Sequence, residues 1–552
     1  MSRPKHNVSG YHEEYVEPES GQARIATTAG TDFQNEIYAY ENRAVDLWTV
    51  LACVALAFSY EACLFSFVLP AAILLNINAA IGPSTRFNWI ATAWSLAAAV
   101  VTTIAGRCSD IFGRRNFFIC GNLVGLIGCV IASRASNVDT IIAGSTLMGV
   151  AAGIQQLAFA ASSEIVPKKW RGTVIALLNL AAVPGSAFGS VIAYALVAHL
   201  SWRWTFYLGV IANGFALSLI LIFYWPPNFL DFHKEDEKTR LAQIKELDFV
   251  GIMLSGGGLT CFLLGVSWGN NPYRWTSAQV LVPLILGALS VMVAFPLWEV
   301  FSHDKIAKLC PPKLFRNIRG FTLPLIVCFL GGMMFMALQV LWPQEIQLLF
   351  TSVPSTIGWY SLAYNASALV GGVVAGSLFA IFKKTNYQWL MAIIIQTIFI
   401  GSMSTVTEHN PGRAIAFVAI AAFMVGAQQV MGLLIIQFGA EDNQIGIATG
   451  LAGSLRSTGG AVAIAVYGSV INNHIAKNLA SRLAAAALLA GLAPAEVPGF
   501  IVALTSGSVD GISSIEGITP GIVAAGIAAQ KSVYAGAFRV VFLVSIAFGG
   551  KL

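Results

Sequence analysis

The chain has 552 residues, a mean hydropathy of +0.72, and only 11% Asp, Glu, Lys and Arg. A soluble fold of that size carries about a quarter charged residues, so water alone cannot be its solvent. The formal net charge of +5 is small and scattered along the chain, which argues against nucleic acid as a partner.

Residues 1–45 are polar and rich in glutamate (Glu13, Glu14, Glu17, Glu19, Glu36, Glu41). They hold no apolar run of the kind a cleavable signal needs and predict a disordered cytoplasmic tail. Apolar segments long enough to span a bilayer, which takes roughly 17–25 residues, follow at 47–75, 88–106, 116–135, 140–161, 173–198 and 204–225. Two more lie at 249–269 and 277–298, and the last six at 321–342, 356–382, 387–406, 413–435, 446–471 and 533–550. Period-two alternation is absent, and helices and closed barrels are the only spanning options. The expected fold is therefore an all-α polytopic membrane protein with 14 transmembrane helices.

The segments divide as 6+2+6: a six-helix bundle over 46–229, a cytoplasmic loop at 230–248, an extra helix pair at 249–300, a second loop at 301–320, and a C-terminal six-helix bundle over 321–552. Inside that last bundle, 474–532 is expected to be an outer loop of short interfacial helices covering the outer mouth. With the N-terminus inside, the inner connections hold 21 Lys and Arg and the outer ones eight. This excess places both termini in the cytoplasm. No cysteine falls in an outer connection, so no disulfide framework is expected. No ligand spacing suggests a metal.

The stretch GRCSDIFGRRN (106–116) crowds Arg107, Asp110, Arg114 and Arg115 into a short inner connection. Gly106 and Gly113 would let the backbone turn there, and Asp110 could cap a helix or pair with an arginine as a latch. GSLFAIFKKTN (376–386) echoes the stretch 270 residues later, as in the internal repeats of secondary transporters.

Ionisable groups deep in a span are functional candidates by default. Glu61 lies roughly 22 Å along its helix from Asp46, and Arg456 roughly 15 Å into its own, at about 1.5 Å per residue. Both are candidates for proton coupling. Arg456 is equally open to binding an anionic substrate or holding a counter-carboxylate. Tyr60, Gln155, Gln156, Gln339, Tyr364, Asn365, Gln428 and Gln429 add polarity inside spans, and interhelical bonding competes with a cavity role for each glutamine. As a cavity lining, these amides and aromatics would suit a bulky, oxygen-rich, mostly neutral molecule. Small residues at four-residue spacing (Gly149 and Gly153, Gly185 and Gly189, Gly372 and Gly376) predict close helix approach.

Gly106-Arg-Cys-Ser-Asp110-Ile-Phe-Gly113-Arg114-Arg115 resembles the signature between helices two and three of the major facilitator superfamily. SWRWTFYLG (201–209), ELDFVGIML (246–254) and SWGNNPYRWTS (267–277) are similar to its fourteen-helix drug:proton antiporter branch. GNLVGLIGCVIAS, SSEIVPKKWRG and GLAGSLRSTGGAVAIAVYGSVI (450–471) look closest to the fungal trichothecene efflux pump and siderophore transporter group. Two departures stand out: helix five reads Gly185-Ser-Ala-Phe-Gly189, with serine where the antiporter motif has proline, and helix four has Ser145 where the superfamily has arginine.

The resemblance covers roughly 45–550. It implies a gating role for Gly106, Asp110, Gly113, Arg114 and Arg115, and a moving interface at Gly185 and Gly189. It also implies proton-coupled efflux of a fungal secondary metabolite or toxin by a monomer. Siderophore-iron uptake is the alternative, and a transporter-like sensor is the third reading. The proton gradient is the expected energy source and no cofactor is expected. The expected membrane is the plasma membrane, with the vacuole as the alternative. No nucleophile–base set or phosphate loop suggests an enzyme.

Overall fold

A computed structural model describes residues 46–167, 170–226, 248–269, 273–302, 308–310, 312–379, 385–439, 445–506 and 512–549. The expected tail, the 230–248 loop up to residue 247, and Lys383 and Lys384 of the repeat lie outside them. Regular structure among the described residues is entirely helical, apart from one isolated bridge between Gly269 and Tyr273.

The first block comprises α1 (Leu47–Ala72), α2 (Trp89–Phe112), α3 (Arg114–Ser133), α4 (Val138–Ile165), α5 and α6 (Arg203–Phe223). Helix α5 is built in three pieces, Arg171–Ala181, Val183–Ser186 and Gly189–His199. The inserted pair is α7 (Phe249–Trp268) and α8 (Ala278–Phe301). The second block comprises α9 (Ile318–Phe350), α10 (Pro354–Phe379), α11 (Tyr387–Thr405), α12 (Pro411–Gly439), α13 (Ile445–Leu489) and α14 (Pro520–Gly549). Eleven of these helices are long and apolar enough to cross a membrane. The other three, α5, α10 and α13, occupy the remaining expected positions.

Local chemistry sets several boundaries. The Asn137 side chain accepts the Thr140 N–H at 2.8 Å and caps the start of α4, satisfying one of the orphan donors of a first turn. Gly113 separates α2 from α3 at φ +89°, a conformation that strongly favours glycine. Gly106, by contrast, sits inside α2 with open space around its Cα. The expected turn therefore belongs to Gly113 alone.

The blocks meet along two seams. Helix α13 runs against α2, with Gly450 over the Thr102 carbonyl, Ser454 donating to the Ala99 carbonyl at 2.8 Å, and Gly468 beside Asn88. Helix α10 meets α5, where Gly358 lies against Val191 and Asn365 donates to Ser190 Oγ at 2.9 Å. The inserted pair is laid over the first seam. Leu263 of α7 is buried with Leu96 of α2 and Ala461 of α13, while α8 has only 11% of its apolar window buried. Residues such as Met292 and Phe301 on α8 are left to face lipid.

Cores are shared differently at the two ends. At the end carrying the α3–α4 and α5–α6 turns, one cluster runs through both blocks: Phe67, Trp94, Tyr194 and Trp202 with Met333, Trp342, Ile357 and Tyr467. At the Gly113 end each block keeps its own. Leu56, Phe118, Ile154, Leu178 and Tyr224 belong to the first; Leu314, Phe321, Ile436 and Leu451 belong to the second. Among the described residues, the buried apolar cluster shared by both blocks lies at one end and separate clusters lie at the other.

Two boundaries differ from expectation. Helix α9 continues eight residues beyond 342 before ending at Phe350, because IQLLF prolongs the apolar run. The segment 474–532 is not built of short helices alone. Helices α13 and α14 extend into it, joined by Val497–Ser506, around a separate core of Leu483, Ala487, Phe500, Leu504 and Ile522. Long alanine-rich stretches favour helix continuation over short interfacial pieces.

Candidate functional site

Glu61 lies in the middle of α1 and is 4% exposed. Both its carboxylate oxygens are buried without a well-formed hydrogen bond, and the nearest donor is the Gly185 N–H. Its wall is α5: a Cβ on Gly185 would lie 2.9 and 3.0 Å from the two oxygens and 3.0 Å from Leu64 Cβ. One turn on, a Cβ on Gly189 would fall 2.6 Å from Val68 Cγ1. Two glycines four residues apart therefore receive Glu61, Leu64 and Val68, which lie on one face of α1. This is the close approach that the sequence predicts. The next residue of α5, Ser190, holds Asn365 of the second block. The surroundings of the carboxyl and the α5–α10 seam thus ride on the same helix segment.

Arg456 does not pair with Glu61. Its guanidinium donates to Gln156 Oε1 at 3.4 Å across the block boundary, and its Nε is buried without a partner. The charge is felt at Tyr60 and Cys63 on α1 and at Cys328 on α9. Tyr60 is held edge-on against Phe159, ring centroids 4.7 Å apart. Helix α4 is interrupted by a turn at Gln156–Leu157, which re-aims the chain where the two blocks face one another.

The neighbouring glutamine behaves differently. Gln155 is 1% exposed and donates to Asn122 Oδ1 at 3.0 Å and Asn213 Oδ1 at 2.8 Å. Asn122 in turn donates to Ser59 Oγ at 3.0 Å. This amide cluster ties α1, α3, α4 and α6 together, so Gln155 points into its own block rather than toward the second. Tyr364 is likewise internal, donating to the Phe335 carbonyl at 2.6 Å. Gln428 donates to the Val327 carbonyl at 3.4 Å and leaves Oε1 unsatisfied. Gln339 is buried on α9, and Gln429 is half-buried with an unsatisfied Nε2. Of the eight expected cavity residues, Gln156 and Asn365 are placed at the block boundary by hydrogen bonds to the other block, and Tyr60 lies near enough to sense the Arg456 charge.

The charged connection is held by contacts within the first block. Arg114 pairs with Glu164 of α4 at 2.6 Å. Arg115 donates to the Leu221 carbonyl at 2.8 Å and stacks over Trp225, 3.4 Å from the ring centroid. These contacts fix α3 to α4 and α6 within one block. The Asp110 side chain lies outside the described residues. Of the other glycine pairs, Gly149 and Gly153 press on Trp94 and Val101 of α2, whereas Gly372 and Gly376 meet Val430 less tightly.

Three buried acids escape a sequence reading. Glu345, 1% exposed, falls three residues past the expected end of its span. The continued apolar run to Phe350 is the signal that could have found it. Asp248 accepts the Gly251 N–H and Trp298 Nε1, each at 2.7 Å. Glu299 accepts the Cys310 N–H at 3.0 Å. The latter two secure the ends of the inserted pair, and the Asp-x-x-Gly spacing in ELDFVGIML is the signal for the first cap.

The family profile described as "Fungal trichothecene efflux pump (TRI12)" matches residues 18–551. The chain is 30% identical over 499 residues to the trichothecene efflux pump TRI12 of Fusarium sporotrichioides, covering 89% of this chain and 83% of that one. It is also 30% identical to the pump of the same name from Trichoderma arundinaceum, over 76% of this chain and 70% of that one. Among solved structures, an auto-inhibited POT family peptide transporter superposes with a TM-score of 0.56 at 15% identity, covering 90% of this chain and 96% of that one.

Proposed function

The chain belongs to the fungal trichothecene efflux pump family, within the major facilitator superfamily of membrane transporters, and from this we propose that it exports a small organic product of fungal secondary metabolism in exchange for protons. The observation that carries the reading is Glu61: a buried carboxyl without a counter-charge, packed against the glycines of α5, the helix that also meets α10. Burying an ionised carboxylate without a counter-charge is costly. A change in its protonation is therefore linked to how α5 sits on α1, and through Ser190–Asn365 to how the blocks meet.

The positive-inside excess favours a cytoplasmic Gly113 end, with Arg114 and Arg115. In this reading the cargo enters between the blocks from that side. Loading, outward tilting and proton uptake at Glu61 would follow as alternating access about the cleft. The plasma membrane is the fitting location, and one chain carries both blocks, so a monomer suffices.

Everted membrane vesicles containing the protein test this directly. With an acid interior they are expected to accumulate components of a producing culture's extract, and an ionophore should abolish accumulation. Glu61→Gln, made at normal levels, should abolish it as well. Ionophore-insensitive accumulation, or full activity of the variant, overturns the coupling. Deleting the gene separates export, which predicts retained metabolite, from siderophore uptake, which predicts poor growth on chelated iron.

A further inference from the structure

Among the described residues, Gln156 is the one hydrogen-bond acceptor of the Arg456 guanidinium. Gln156 Oε1 accepts from the guanidinium and also sits 3.6 Å from the position a Cβ on Gly453 would occupy, so the amide is pinned between α4 and α13. Its Nε2 and the Tyr60 hydroxyl make no hydrogen bond to the described residues, and the Arg456 Nε–H is buried without an acceptor. No carboxylate pairs with the arginine among the described residues, and Glu61 is packed against Gly185 instead. A guanidinium at this depth without an acid is a charge awaiting a counter-ion, and its planar donor fork suits a carboxylate or similar oxyanion.

We propose that Arg456, with the Gln156 amide and the Tyr60 hydroxyl, forms an anion-binding subsite, and that the exported molecule carries a carboxylate or an equally acidic oxygen group. The inference rests on the cleft being the transport path and narrows the cargo class to organic acids. It departs from the mostly neutral cargo that the amides alone suggest. The acid group would dock on Arg456 while the apolar body lies between the blocks, and the interaction is strongest where water is excluded. Occupancy neutralises the arginine and lowers the electrostatic obstacle to closing the cytoplasmic side around the cargo.

Binding of 1-pyrenebutyrate and of its methyl ester to the full-length protein in nanodiscs, read by pyrene fluorescence without a pH gradient, tests the subsite apart from proton coupling. Wild-type protein is expected to prefer the acid by at least about tenfold. Arg456→Gln should reduce that preference to about twofold or less, and Arg456→Lys should restore part of it. Gln156→Leu with Tyr60→Phe, which leaves the charge in place, should weaken acid binding several-fold and covers the case in which Arg456→Gln fails to fold. Equal affinity for acid and ester, no binding of the acid, or a preference that survives both Arg456→Gln and the double variant overturns the proposal. Loss of gradient-driven flux with the preference intact would count against the coupling reading alone.

Discussion

Replacing Gly189 by alanine should loosen the α1–α5 contact, and removing both methyls from Val68 should restore it. The added methyl would lie 2.6 Å from Val68 Cγ1, 3.3 Å from its Cβ and 3.4 Å from Leu69 Cδ1. Carbon–carbon contact is comfortable at about 3.5–4.0 Å, so the overlap with Cγ1 is roughly 1 Å. Valine in a helix has one strongly preferred rotamer, so the clash is relieved mainly by moving α5 away from α1. Overpacking of this kind costs about 1–3 kcal/mol.

Val68→Ala alone should cost about 2 kcal/mol from lost packing. In the double variant the closest approach becomes 3.3 Å, to the atom that remains as the alanine Cβ, a few tenths short of contact. The double variant should therefore be at least about 1 kcal/mol more stable than the sum of the singles predicts, a coupling within the range for touching residues. Thermal unfolding of the detergent-purified protein measures the cycle, and vesicle flux should follow the same order. Strict additivity would refute the packing argument and, with it, the view that α5 is seated on the Glu61 face of α1.

Adjacent glutamines should separate cleanly. Gln155→Ala leaves Asn122 and Asn213 oxygens without their donor and should lower stability by about 1–3 kcal/mol, whereas Gln156→Ala should leave the melting temperature nearly unchanged and weaken acid-probe binding. Asp248→Ala removes both the α7 cap and the Trp298 acceptor. It should destabilise by about 2–4 kcal/mol and alter tryptophan emission, measured on purified protein. Arg114→Ala and Glu164→Ala break a partly exposed pair, with side chains 19% and 46% exposed. Each should cost about 1 kcal/mol or less, and the double variant should cost little more than either single. Finally, a cysteine at residue 116, beside the Arg114 turn, should react with an impermeant maleimide in everted vesicles and not in intact cells. The opposite pattern would reverse the assigned orientation.

The sequence by itself determined that the chain is a helical membrane bundle, approximately where each helix runs, and which connections gather the cations. The bilayer makes each of these legible: a span must satisfy its own backbone and be long and apolar, and its flanking charges are sorted by side. The residue pattern also sufficed for the superfamily, through the stretch ending at Arg114 and Arg115, and for the pump family, through GNLVGLIGCVIAS, SSEIVPKKWRG and 450–471. What each side chain faces was decided by tertiary structure. Lipid, neighbouring helix and cleft wall are all predominantly apolar, so hydropathy carries no mark of which face is which. Consecutive residues on a helix diverge by about 100°, and the break after Gln155 sends it into an amide cluster while Gln156 meets Arg456 across the boundary. For the same reason Glu61 and Arg456, equally buried charges in sequence, resolve into two separate sites, one pressed against glycine and the other facing a partner block.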